Sequence, residues 1–131
     1  MTKKLTISKV AKEVGIGVET VRYYERIGLI SQPEKPAVGY RVYDDKTLTQ
    51  LFFIKRAKTL GFSLQDIAEI MTLGEKKCQA TKTIASQKLQ NIKSKITDLE
   101  LISQELEKMI KACEDNPNYN HCPIVTAIAK R

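Results

Sequence analysis

The sequence predicts a mainly α protein, with a small helical module at the front and one very long helix behind it. Three observations carry that expectation. Between Cys78 and Cys113 lie 34 residues without Gly or Pro, in which apolar side chains recur at alternating steps of three and four. Ahead of them, short amphipathic segments are punctuated by Gly15, Gly17, Gly28, Gly61 and Gly74. No apolar run approaches the ~18 residues needed to cross a bilayer, so no membrane span is expected.

Thr6 suits an N-cap for a first helix over 7–14, with Ile7, Val10, Ala11 and Val14 on its apolar face, and Gly15 stops it. Ile16 and Gly17 make a tight turn. A second helix follows over 18–27, ending at Gly28. Two short helices across a turn of about three residues suit a helix-turn-helix, whose second helix enters the major groove of DNA. Thr20, Arg22, Tyr23 and Tyr24 on that helix supply donors for bases and phosphates.

Residues 32–38 hold two prolines and no helical pattern, whereas Gly39, Tyr40, Arg41, Val42 and Tyr43 alternate as a short strand does. This is the expected wing, with Arg41 and Tyr40 or Tyr43 reaching phosphates beside the groove. Asp44 caps a third helix to about Leu60, with Leu48, Leu51, Phe52 and Leu60 facing inward and Lys55, Arg56 and Lys58 outside. Ser63 and Asp66 form a capping box for a fourth, which carries Leu64, Ile67, Ile70 and Met71 and ends at Leu73 and Gly74.

The long helix begins near 75–79 and ends near Ala112. Cys78, Ala85, Ile92, Leu99, Leu106 and Cys113 form one heptad series, and Leu89, Ile96 and Ile110 fill companion positions that Lys82 and Ser103 interrupt. Such a stripe needs a partner, and an uninterrupted helix has no hinge on which to fold back. At 1.5 Å per residue, Cys78 and Cys113 stand roughly 52 Å apart, too far for one chain to join them. Two antiparallel copies set Cys78 beside Cys113 of the second, Ile92 against Leu99 and Ala85 against Leu106. The expectation is therefore a homodimer with an inter-subunit thiolate site at each end. Residues 114–123 are a turn-rich loop that Pro117 keeps from being helical and in which Cys122 lies. An apolar turn or two over 124–129 then pins the loop back onto the body of the protein. The parts expected are a DNA-binding module over 1–74, a dimerisation helix over 75–112 and a metal-binding loop and helix over 113–131.

Charge and cysteine usage narrow the function. The net charge of +7 is concentrated in residues 1–60, which hold 12 Lys/Arg against 6 Asp/Glu, as against 10 and 9 in the remainder. That segregation favours a polyanion, most simply nucleic acid. The N-terminus has no signal-peptide pattern, so a cytoplasmic protein is expected. In a reducing cytosol three cysteines point to ligand or sensor roles rather than a disulfide framework. No nucleophile–base pairing, phosphate-binding glycine loop or carboxylate dyad suggests an enzyme.

The run Val18, Glu19, Thr20, Val21, Arg22, Tyr23, Tyr24, Glu25, the wing over 39–43 and the link Leu60, Gly61, Phe62, Ser63, Leu64 with Ile67 together resemble the MerR family of bacterial transcription regulators. The resemblance covers essentially the whole chain. It implies a winged helix-turn-helix domain, a long antiparallel coiled-coil dimerisation helix and a short C-terminal metal-binding loop and helix. Cys78, Cys113 and Cys122, with His121, Pro123 and Ile124 around the last, look like the mercury-responsive members. In those, one thiolate from the start of the dimer helix meets two from the partner's loop. Mercuric ion is then the effector, and Cys78 of one subunit and Cys113 and Cys122 of the other its ligands. Read by itself, His121 is a loop histidine that faces water or packs on the loop, with direct ligation the alternative. Three sulfurs without hard-oxygen ligands also suit a soft ion better than zinc.

The resemblance further implies a palindromic operator within a long promoter spacer and RNA polymerase as a partner. Transcription is repressed without metal and activated by DNA distortion with it, controlling mercury resistance genes. A lead or cadmium sensor of the same family is the alternative within the class. A switch driven by a Cys113–Cys122 disulfide is the alternative outside it.

Overall fold

A computed structural model of the chain describes residues 5–118 and 120–131. Tyr119, which the loop expectation includes, lies outside the described residues, as do residues 1–4. Six helices follow in order: α1 (Ile7–Val14), α2 (Val18–Arg26), α3 (Asp45–Thr59), α4 (Leu64–Leu73), α5 (Cys78–Glu114) and α6 (Pro123–Ala129). The chain divides into two units, one reaching to Ile84 and the other Ala85–Arg131.

Helix ends follow local chemistry. Thr6 accepts from the Lys9 N–H, Asp44 accepts from the Thr47 N–H at 2.9 Å, and Ser63 and Asp66 complete a reciprocal capping box. Gly15 closes α1 in the left-handed conformation at φ 81°, donating its N–H to Ala11. Its missing side chain matters twice, because a Cβ there would also stand 2.6 Å from Lys55 Nζ. Lys55 in turn donates to the Val14 carbonyl at 2.7 Å, so a cation from α3 satisfies the end of α1.

The core of the N-terminal unit joins Val10, Ala11 and Val14 of α1, Val21 and Tyr24 of α2, Leu51, Ile54 and Ala57 of α3, and Ile67 of α4. Leu5, Ile30 and Tyr43 close it. On α3 the inward face runs Thr47, Leu51, Ile54 and Ala57. Phe52 and Leu60, expected to face inward, are 47% and 61% exposed. Phe52 follows Leu51 by one residue, about 100° around the helix, so both cannot face one core. Among the described residues the expected wing strand is one antiparallel bridge between Tyr43 and Leu5, with the Tyr43 N–H on the Leu5 carbonyl at 2.8 Å. An alternating pattern becomes a ladder only where a second extended segment lies beside it, and α1 starts two residues after Leu5.

Helix α5 is one continuous element of 37 residues with no buried side chain. Its stripe residues Leu89, Ile92, Ile96, Leu99, Leu106 and Ile110 are 37–63% exposed. Helix α6 is likewise exposed at Val125 and Ile128. Pro123 and Ile124, at its start, are half-buried. No helix among the described residues is long and apolar enough to cross a membrane.

Candidate nucleic-acid interface and metal centre

Helix α2 is the second helix of the pair, held by Val21 and Tyr24 in the core, and this fixes what it presents outward. Arg22, Tyr23 and Arg26 are exposed and Thr20 is half-buried. Arg22 and Arg26 are four residues apart and share a face. The Arg26 guanidinium also lies 5.5 Å from the centre of the Tyr23 ring, a cation–π contact that orients it. Tyr24 is different from its neighbour. It is 8% exposed, and burial, then the adjacent Tyr23, raises its pKa. Its ring is spent on packing, which removes it from the exposed donors expected on this helix.

The wing returns beside α2. Tyr40 is exposed, while half-buried Arg41 donates from Nε to the Pro33 carbonyl at 3.0 Å, which ties the segment over 33–41 into a loop. Tyr43, in the core, donates its hydroxyl to Glu25 Oε1 and so joins the wing to α2. Burial first, then that hydrogen bond, drives the Tyr43 pKa well above the ordinary phenol range. A cleft of about 710 Å³ opens where these parts meet, and Arg22, Arg26, Arg41 and the α1 start at Thr6 and Ser8 line it. Glu25 is the one acid among those lining residues, and Tyr43 engages it. Three guanidiniums and a hydroxyl at a helix start form a surface suited to phosphate oxygens. Arg26 and Ser8 were missing from the sequence expectation. The four-residue step from Arg22 could have found Arg26, but only the fold brings Ser8 there.

The three thiols are exposed. Cys78 is the first residue of α5, Cys113 lies in its last turn, and Cys122 is the N-cap of α6. The structure brings Cys113 and Cys122 near enough for each thiol to shift the other's pKa. Desolvation, then the charge and hydrogen bonding of Cys122, raises the Cys113 pKa. The Cys122 thiol is lowered by the Val125 and Ile124 N–H groups, which face its sulfur without closing a strict capping hydrogen bond. The pair thus holds one thiol predisposed to ionise and a second that its surroundings hold in the neutral form. The His121 ring lies 3.3 Å from the Thr126 hydroxyl through Nε2. Among the described residues of one chain, no group of three His, Cys, Asp or Glu side chains is placed to hold a metal ion.

Comparison with known proteins agrees with this layout. Residues 5–73 match the family described as "MerR HTH family regulatory protein", and residues 48–109 match "MerR, DNA binding". A mercuric resistance operon regulatory protein of Bacillus cereus is 37% identical over 131 residues, covering 98% of this chain and 99% of its own. The crystal structure of the dual function regulator MerR of Bacillus megaterium MB1 with mercury(II) aligns at a TM-score of 0.70 and 36% identity, over 92% of this chain and 95% of that one. A lead(II)-bound regulator from Ralstonia metallidurans CH34 shares the fold at a TM-score of 0.82 and 24% identity, over 95% and 99% of the two chains.

Proposed function

The chain belongs to the MerR family of HTH regulatory proteins, and from that premise we propose that it is a mercuric-ion-responsive transcription regulator acting as a homodimer. Its parts are the DNA-binding module over 1–74, the dimerisation helix over 75–112 and the metal-binding loop and helix over 113–131. The observation that carries the reading is the pairing of Cys113 with Cys122 at the end of a continuous helix that Cys78 begins.

Cys78 of one protomer, with Cys113 and Cys122 of the partner subunit, would hold the ion. The donor set fits, since three thiols with no carboxylate among them favour a soft cation. When bound, the ion supplies a linkage between the sulfurs of two chains. The residues of the chain do the rest. Cys113 and Cys122 are presented as a pair, and the α5 stripe joins the copies antiparallel. Thr20, Arg22, Tyr23, Tyr40 and Arg41, with Arg26, bind each half of a palindromic operator, phosphate contacts giving affinity and base contacts giving choice. A change in how the two copies are held then reaches DNA as altered shape, and RNA polymerase reads promoter elements so realigned. The shift is limited by the difference in effector affinity between the two states of the dimer.

Mixing chains tests the arrangement. A Cys78→Ser chain combined with a Cys113→Ser, Cys122→Ser chain should regenerate one tight site per heterodimer, while neither homodimer retains one. Absence of recovery sinks the inter-subunit site. Promoter output titrated with mercury, cadmium, lead and zinc should respond to mercury at the lowest concentration. A lower threshold for lead or cadmium reassigns the effector. The proximity of Cys113 and Cys122 also supports a disulfide switch, which an oxidant response surviving chelation without metal uptake would select.

A further inference from the structure

Between the two paired cysteines, Asn116 is half-buried while Asp115, Pro117 and Asn118 beside it are exposed. Its carboxamide Nδ2 donates to the carbonyl of Asn118 at 2.7 Å and to that of His121. Its Oδ1 accepts from the Asn118 N–H at 3.2 Å. One amide orientation satisfies all three bonds, and turning the group end for end would set donor against donor and acceptor against acceptor. The Asn116 main-chain N–H donates to the Cys113 carbonyl at 3.3 Å. Asn116 is therefore tied to Cys113 through its backbone and, through its side chain, to the residue directly before Cys122.

We infer that Asn116 is the positioning residue of the thiol pair, its carboxamide closing the loop so that Cys122 stands against Cys113. Val125 and Ile128 of α6 are exposed and give no such closure, and the half-buried Pro123 and Ile124 lie after Cys122, outside the loop. Pro117 stiffens one step of the backbone but cannot bring the ends together. An open loop would spread its two sulfurs over many separations, and any ligand or bond joining them would have to overcome that spread. With the carboxamide in place the loop is closed in advance. The inference rests on the reading of Cys113 and Cys122 as metal ligands for its functional meaning, while the geometry can be tested without metal.

The test uses full-length chain carrying Cys78→Ser, equilibrated with glutathione and glutathione disulfide. One protein thiolate attacks glutathione disulfide, releasing a glutathione thiol and leaving a mixed disulfide. The second protein thiolate then displaces the remaining glutathione, so that two protein thiols are oxidised and one glutathione disulfide becomes two glutathione thiols. The trapped fraction of Cys113–Cys122 disulfide gives the effective concentration of one thiol at the other. Asn116→Ala should lower it about tenfold, the factor that the net worth of one or two hydrogen bonds carries.

Asn116→Asp keeps the size and the acceptor but cannot donate, and it should fall by a similar factor. Asn120→Ala, whose side chain makes no hydrogen bond to the described residues of the loop, should stay within about twofold. An unchanged effective concentration in Asn116→Ala, or an equal fall in Asn120→Ala, overturns the inference. Retained helical circular dichroism and thermal midpoint in all variants separate loop opening from unfolding. The second arm measures mercuric ion affinity of chains retaining Cys78, by competition with a small thiol chelator, where Asn116→Ala should again weaken binding about tenfold. Loss of thiol proximity in the first arm, with no mercuric ion uptake by the unsubstituted chain, upholds the role of Asn116 and sinks the metal reading instead.

Discussion

Single residues shape the cationic cleft of the N-terminal unit. Arg22 and Arg41 line the same cleft from two elements, so replacing either with Ala should weaken operator binding. Each removed phosphate contact should also reduce the slope of log affinity against log salt by about 1, measured by fluorescence anisotropy over a range of salt concentrations. Gly15→Ala should destabilise the protein by about 1–2 kcal/mol, because φ 81° is unfavourable for Ala and the new methyl displaces Lys55 from the Val14 carbonyl. Urea denaturation should show a lower midpoint with an unchanged slope. Asp44→Ala should cost about 1 kcal/mol at neutral pH through loss of the α3 cap. The Thr47 N–H and hydroxyl hold the Asp44 pKa below its ordinary 3.8. Its contribution is thus complete above that value and disappears as pH falls through the lower folded-state value, so wild type and variant should converge in acid.

Elements were legible in the sequence to the extent that their causes are local. Thr6, Asp44, Ser63 and Asp66 announce helix starts because capping acts within three residues, and Gly15 and Gly74 announce stops for the same reason. Which of two adjacent aromatic residues points inward depends on the phase set by neighbouring helices. Sequence reasoning therefore left Tyr23 and Tyr24 equivalent and put Phe52 inside. The wing strand was overread because alternation describes one segment and a ladder needs two. The cysteine spacing was legible through the heptad, whereas the Asn116 bonds, reaching two and five residues along an irregular loop, follow no period. At this scale α5 supplies its own test. Leu99→Lys places a charge on the stripe of each copy and should raise the dimer dissociation constant by about a hundredfold or more, read by analytical ultracentrifugation.

For the whole molecule, the division of labour follows the division of charge. The basic excess lies in the first 60 residues, which share one core with Ile67 of α4 and present a cationic cleft, while the nearly neutral remainder carries all three thiols. The apolar stripe of α5 is exposed within one chain, and in the proposed homodimer a second copy covers it. Stability and assembly are then one equilibrium, and the thermal midpoint should climb with protein concentration, in contrast to a monomer of the same size. A chain built this way takes a census of itself. On the homodimer reading, low copy number would leave the stripe open to proteolysis and promoters empty, and occupancy would rise more steeply than in proportion to synthesis. The apolar stripe of one helix would thereby set a threshold on gene dosage.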